Sequence, residues 1–179
     1  MKALLIIDMQ KSLFKTPRHD FNGVVSRINT LADELRKAGG LVIYIQHNGA
    51  KEDDLLEGSQ GWEIIDELDK SETDFRLTKT ACDAFYQTEL EALLKSKGIT
   101  EVVITGAATE FCVDTSLRAC LSKGFNVTAI SDGHTTANRE HLSAEQIIKH
   151  HNWSWENLII PNVDIKIVTA SEAIETRKF

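Results

Sequence analysis

Six short stretches carry the apolar character of strands, and the segments between them carry the spacing of helices. Residues 3–7, 41–45 and 102–104 are continuous apolar runs, the pattern of parallel strands buried on both faces. Residues 75–79, 126–130 and 165–168 read as three further strands. Val24, Val25, Ile28, Leu31, Leu35 and Ala38 recur on one face of a helix over 22–38, which Gly39 and Gly40 end. Helices are also expected over 88–97, closed by Gly98, and over 110–123, closed by Gly124. A fourth, over 143–151, opens on the capping-box pattern Ser-Ala-Glu-Gln. Strands alternating with helices predict a single three-layer α/β/α domain over 1–179 with a six-stranded, mostly parallel sheet. One stretch stands outside this alternation: residues 51–71 are polar and acidic, with Trp62, Ile64, Ile65 and Leu68 as apolar anchors, and read as a surface excursion or lid.

Composition narrows the function. A net charge of −7 without a stripe of Lys or Arg argues against nucleic acid or an anionic membrane as partner. No apolar run reaches membrane-spanning length, and the first run is too short for a signal peptide, so a cytoplasmic protein is expected. Three cysteines without zinc-type spacing fit a reducing compartment better than a disulfide framework. No Gly-x-Gly-x-x-Gly follows the first strand and no phosphate loop is present, so no nucleotide cofactor is expected.

Ligands of open α/β sheets bind at the carboxyl ends of the strands, so the polar residues there are the candidates. Asp8 ends the first strand, His47 follows the second, Lys79 ends the third, and Asp132 and His134 follow the fifth. Singly, each has a dull explanation: a turn carboxylate, a hydrogen-bonded structural histidine, a solvated lysine. The fourth strand leads through Gly106-Ala-Ala into a helix that places Cys112 in its first turn, where free N–H groups and the helix dipole favour thiolate. The alternative for Cys112 is a small buried residue. Trp153 and Trp155, beside His150 and His151, suit packing or a subunit contact better than a pocket.

Together Asp8, Lys79 and Cys112 would supply a base, a cation and a nucleophile. At these residues the chain resembles the isochorismatase-like cysteine hydrolases: Leu-Leu-Ile-Ile-Asp8-Met-Gln, Lys79 ahead of Ala84-Phe85, Gly106-Ala-Ala-Thr-Glu-Phe-Cys112-Val with Ser116 and Ala119, and Ser131-Asp132-Gly133. The resemblance implies strand order 3-2-1-4-5-6, which makes Asp8 and Cys112 neighbours. It implies Asp8 as general base, Lys79 as the cation holding carboxylate and thiolate, and a cis peptide at Ala107-Ala108 that aims the N–H groups of Ala108 and Cys112 into an oxyanion hole. It further implies hydrolysis of a small amide-type bond through a Cys112 thioester, with a small-molecule substrate and a homodimer or homotetramer.

Nicotinamidases of the family carry an Asp-x-His metal element after strand two. Gln46-His47-Asn48 stands in its place, so no metal is expected and nicotinamide is disfavoured as substrate. Phe14, His47, Trp62, His134 and Trp155 are candidate pocket residues. Two alternatives remain open at this point: hydrolysis of a vinyl ether of the isochorismate type, and a non-catalytic redox or binding protein.

Overall fold

The structure is a computed structural model that describes residues 1–176. Six strands form one parallel sheet: β1 (Lys2–Ile7), β2 (Leu41–His47), β3 (Phe75–Lys79), β4 (Glu101–Ala107), β5 (Asn126–Thr135) and β6 (Ile165–Val168). Their order is β3-β2-β1-β4-β5-β6, as the resemblance implied, with every pair parallel. The order reverses between β1 and β4, so the loops after these two strands diverge at a switch point.

The helices are α1 (Phe21–Lys37), α2 (Leu90–Ser96), α3 (Asp114–Ser122), α4 (Ala144–Glu156) and α5 (Ala170–Glu175). Side chains along a strand alternate between faces, and β1 divides accordingly. Ala3, Leu5 and Ile7 join a core with Leu90, Leu94, Leu117, Leu121 and Trp155 of α2, α3 and α4. Leu4 and Ile6 join a second core with Val24, Ile28, Leu31 and Leu35 of α1 and Ala173 of α5. Each fully buried aliphatic side chain stabilises the fold by about 1.5–3 kcal/mol, and here the gain falls on both faces of the sheet.

The strand ends carry most of the departures from the sequence pattern. β2 runs on to His47, because Gln10 clamps it: its Oε1 accepts from the His47 N–H at 2.7 Å, and its Nε2 donates to the His47 carbonyl at 2.9 Å. β5 is ten residues long rather than five, and it carries a bulge. While β4 advances from Ile104 to Gly106, its partner in β5 jumps from Ala129 to His134, which leaves three extra residues in β5. α2 is shorter than expected, and Ala38 lies just past the end of α1.

Residues 51–71 are held down rather than projecting. Ile64, Ile65 and Leu68 are buried, the Ile65 N–H donates to the Met9 carbonyl at 3.0 Å, and the Lys11 N–H donates to the Glu63 carbonyl at 2.9 Å. Among the described residues no helix is long and apolar enough to cross a membrane.

Candidate active site

The site is built where β1 and β4 end side by side. Gly106 pairs with Ile7 at φ +118°, and a Cβ there would lie 2.2 Å from the Ile7 carbonyl oxygen, so only glycine allows this approach. The residue just after β1, Asp8, adopts φ +50°, a left-handed backbone that is uncommon outside glycine. Its N–H donates to the Ile45 carbonyl at 2.8 Å, which fixes the turn. Such conformations persist where the surroundings determine them, and they concentrate at functional sites.

Lys79, at the end of β3, reaches across β2 to this point. Its Nζ donates to Asp8 Oδ2 at 2.7 Å, to the Ala81 carbonyl at 2.9 Å and to Cys112 Sγ at 3.2 Å. Asp8 is 1% and Lys79 2% exposed, so this is a buried ion pair that the sulfur completes. All three donors of the ammonium are used. Asp8 Oδ1 is buried without a hydrogen-bond partner among the described residues, which leaves it as an acceptor for the thiol.

Cys112 does not sit in the first turn of an α-helix. The Ala107-Ala108 peptide is cis. It is followed by one wide turn over Thr109–Val113, in which the Val113 N–H reaches back five residues to the Ala108 carbonyl at 3.3 Å. The α-helix starts only at Asp114.

The expected bias toward thiolate is also reversed. Burial, then the charge of Asp8, pushes the Cys112 thiol up, against the pull of Lys79. Burial likewise raises Asp8, opposed by Lys79. Burial works against the charge of Lys79, but Asp8 and the sulfur outweigh it and hold the ammonium charged. The resting arrangement is a neutral thiol beside a carboxylate and an ammonium, with a raised carboxylate close by to take the proton.

These groups open into a cavity of about 260 Å³ lined by Leu13, Arg18, His47, Cys82, Ala107, Ala108, Phe111 and Arg139 as well as Asp8 and Cys112. A larger open groove beside α1, about 570 Å³, is lined by polar side chains such as Asn22, Ser26 and Asp33 and by neither cysteine nor histidine. The chemistry therefore belongs to the smaller cavity, whose size suits a small molecule.

Of the five candidate pocket residues, one lines this cavity. His47 does; its Nδ1 is buried and unpartnered, and burial followed by the charge of Lys79 lowers its pKa, which favours a neutral ring. Phe14 instead packs on Phe21, with ring centroids 5.1 Å apart, and lies beneath the Arg18 guanidinium. Trp62 contributes its backbone carbonyl, which accepts from Gln10 and Gln46. His134 is buried inside the lengthened β5, where Thr109 Oγ1 and Asn152 Oδ1 hold its two ring nitrogens at 2.9 and 3.0 Å. Trp155 is fully buried, and its indole N–H donates to Asp114 at 2.7 Å, joining α4 to α3. Asp132 accepts from the Ala170 N–H and caps α5.

Sequence reasoning missed Arg18, Phe111, Cys82 and Arg139. A signal existed for the arginines, since each lies in the segment that follows a strand at the ligand-binding edge. Ser116 supplies a support that spacing did not reveal: its Oγ accepts from the Ala84 N–H and donates to the Cys82 carbonyl, which fixes the segment after Lys79 onto α3.

A half-buried cysteine beside a buried carboxylate and lysine lies at the switch point of a parallel 3-2-1-4-5-6 α/β sheet, and comparison with known proteins gives the class. The isochorismatase domain model matches residues 2–152, so the chain belongs to the isochorismatase family of hydrolases. It is 36% identical over 134 residues to the uncharacterized isochorismatase family protein YrdC of Bacillus subtilis, covering 73% of this chain and 72% of that one. It is 31% identical over 152 residues to Nicotinamidase 3 of Arabidopsis thaliana, covering 77% and 75%. A crystal structure of an isochorismatase family protein superposes with a TM-score of 0.83 at 32% identity, covering 92% of this chain and 96% of the other.

The Asp-x-His metal element of the family's nicotinamidases does not fit here. Gln46 turns its amide to the Trp62 carbonyl at 3.0 Å, and among the described residues no three His, Cys, Asp or Glu side chains gather closely enough to hold a metal.

Proposed function

We propose that this protein is a cysteine amidohydrolase acting on a small amide. The observation that carries the reading is the meeting of Asp8 and Cys112 on the wall of one cavity, 2.7 and 3.2 Å from the Lys79 ammonium buried behind them. The nicotinamidase among its relatives supports C–N cleavage as the reaction type. The missing metal ligands argue against nicotinamide itself.

In the proposed cycle Asp8 takes the Cys112 proton while Lys79 remains charged beside the new thiolate. The sulfur attacks the amide carbonyl, forming a C–S bond and a tetrahedral oxyanion that the N–H groups of Ala108 and Cys112 would stabilise. Collapse breaks the C–N bond, and Asp8 returns the proton to the departing amine, leaving a thioester. Water then gives a proton to Asp8 and its oxygen to the acyl carbon. The carboxylic acid departs, and the proton returns to the Cys112 sulfur.

A sensor thiol needs no base, and a vinyl-ether hydrolase needs no thiol; the presence of both groups favours amide hydrolysis. The test is ammonia release from a panel of primary amides by the parent and by Cys112→Ala. Loss of release with an unchanged melting temperature is expected. Amide hydrolysis retained in Cys112→Ala would overturn the nucleophile assignment. We further place the protein in the cytoplasm, where Cys82, Cys112 and Cys120 can all remain free thiols, and infer a homo-oligomer, for which exposed Trp153 would offer an apolar contact.

A further inference from the structure

Arg18 has no carboxylate partner, although it is half-buried at the cavity of a protein carrying net charge −7. Its Nε and Nη2 both donate to one neutral acceptor, the Leu13 carbonyl, at 2.9 and 2.6 Å, and no described residue accepts from its Nη1. The contrast with other arginines is sharp: Arg27, Arg36, Arg118 and Arg139 each pair with an Asp or Glu.

The segment that carries Arg18 is tied in place. The His19 N–H donates to the Thr136 carbonyl at 3.0 Å, and Thr135 Oγ1 donates to the His19 carbonyl at 2.6 Å, so the loop after β1 is fastened to the end of β5. Arg139 lines the same cavity. Its own charge is matched by Glu110 at 2.6 Å, and its guanidinium lies over the Phe111 ring, which also lines the cavity.

The other ionised groups cancel. Asp8 pairs with Lys79 and Glu110 with Arg139, and His47 tends to neutrality. One positive charge, that of Arg18, is left over. Burial, and then the neighbouring charge of Arg139, works against the Arg18 guanidinium; Glu110, already bonded to Arg139, opposes them only in part, and an incoming anion would offset the remaining cost. A guanidinium fork matches a carboxylate in geometry as well as in charge.

We propose that Arg18 binds a carboxylate on the substrate, so that the amide cleaved at Cys112 belongs to a small amido acid rather than to a neutral amide. This rests on the hydrolase reading for its chemistry, but not for its test. The same cavity holds the cysteine, so iodoacetate and iodoacetamide, which differ only in carboxylate against amide, serve as a matched pair of probes.

The quantity to measure is the ratio of their alkylation rates at Cys112, read by peptide mass and referred to the same ratio for 2-mercaptoethanol. The ratio cancels the reactivity of the thiol itself. A charge-assisted contact predicts a ratio about tenfold above the free thiol, lost in Arg18→Gln and kept in a variant of exposed Arg76, Arg76→Gln. A ratio equal to that of the free thiol, or indifferent to Arg18→Gln, overturns the proposal.

Calorimetry on the unreactive Cys112→Ser variant decides independently of turnover. Succinamate should bind at least about tenfold more tightly than succinamide, and Arg18→Gln should remove the preference. Equal binding, or binding of neither, overturns it. Silence of Cys112 toward both reagents would fall instead on the nucleophile assignment, and the calorimetry would still judge Arg18.

Discussion

Asp8 and Lys79 lie 71 residues apart in the chain and meet at 2.7 Å with their side chains all but closed to water. Removing two charges from water is costly, and their attraction recovers that cost only when both are present. Breaking the pair from one side leaves a buried charge, a loss of about 3–5 kcal/mol. Asp8→Asn and Lys79→Met should each lower the unfolding free energy by an amount of that order, and the double variant should lose less than the sum. Urea denaturation of the three variants measures this, and additive losses would mean that the pair is not coupled.

Activity should fall in acid as Asp8 takes up a proton. Burial raises its pKa above the ordinary value of 3.8, so the acid limb of kcat/KM should lie above the usual carboxylate range. A protonated Asp8 cannot accept from Cys112. A pH–rate profile flat down to pH 4 would contradict this role.

His134 makes a separate, structural prediction. Burial lowers its pKa from 6.5 to about 4, against the hydrogen bond to Asn152, which favours the charged ring. The folded value lies below the unfolded one, so between pH 6.5 and 4 the unfolded chain binds more protons. Stability is then complete above about pH 6.5 and falls with acid, by up to about 3 kcal/mol at pH 4. Urea midpoints across this window should show that slope, and His134→Gln should flatten it.

Gly106→Ala should be among the most damaging single changes. The added methyl meets the backbone of Ile7, which cannot move without displacing Asp8. A loss of about 3 kcal/mol or more, with activity impaired in the protein that still folds, is expected. A melting temperature within a degree of the parent would refute this.

The sheet was legible because β1, β2 and β4 are continuous apolar runs that no other element explains, and the positions of Asp8, Lys79 and Cys112 followed from the strands they end or closely follow. The turn at Cys112 was not legible: five residues of wide helix and an α-helix show the same apolar spacing over so short a span. Nor was the bulge in β5, because Ser131-Asp132-Gly133 reads as a turn when the partner strand is unknown. His134 misled for a related reason, whereas Trp155 took the packing role preferred for it. A polar or aromatic residue near a strand end can face the cavity or the core, and only the packing of α4 against β5 decides. Arg18 and Arg139 were missed because arginines in loops usually pair at the surface, and the lack of an acidic partner for Arg18 shows only in three dimensions.

The central claim is that Asp8, Lys79 and Cys112 act as one unit, and the pH dependence of Cys112 alkylation by iodoacetamide tests it most directly. The charge of Asp8 holds the thiol up and that of Lys79 pulls it down. Asp8→Asn should therefore shift the alkylation profile to lower pH even as amide turnover is lost, and Lys79→Met should shift it to higher pH. Opposite shifts are the predicted result. Profiles that stay in place in both variants, or that move in the same direction, would contradict the account.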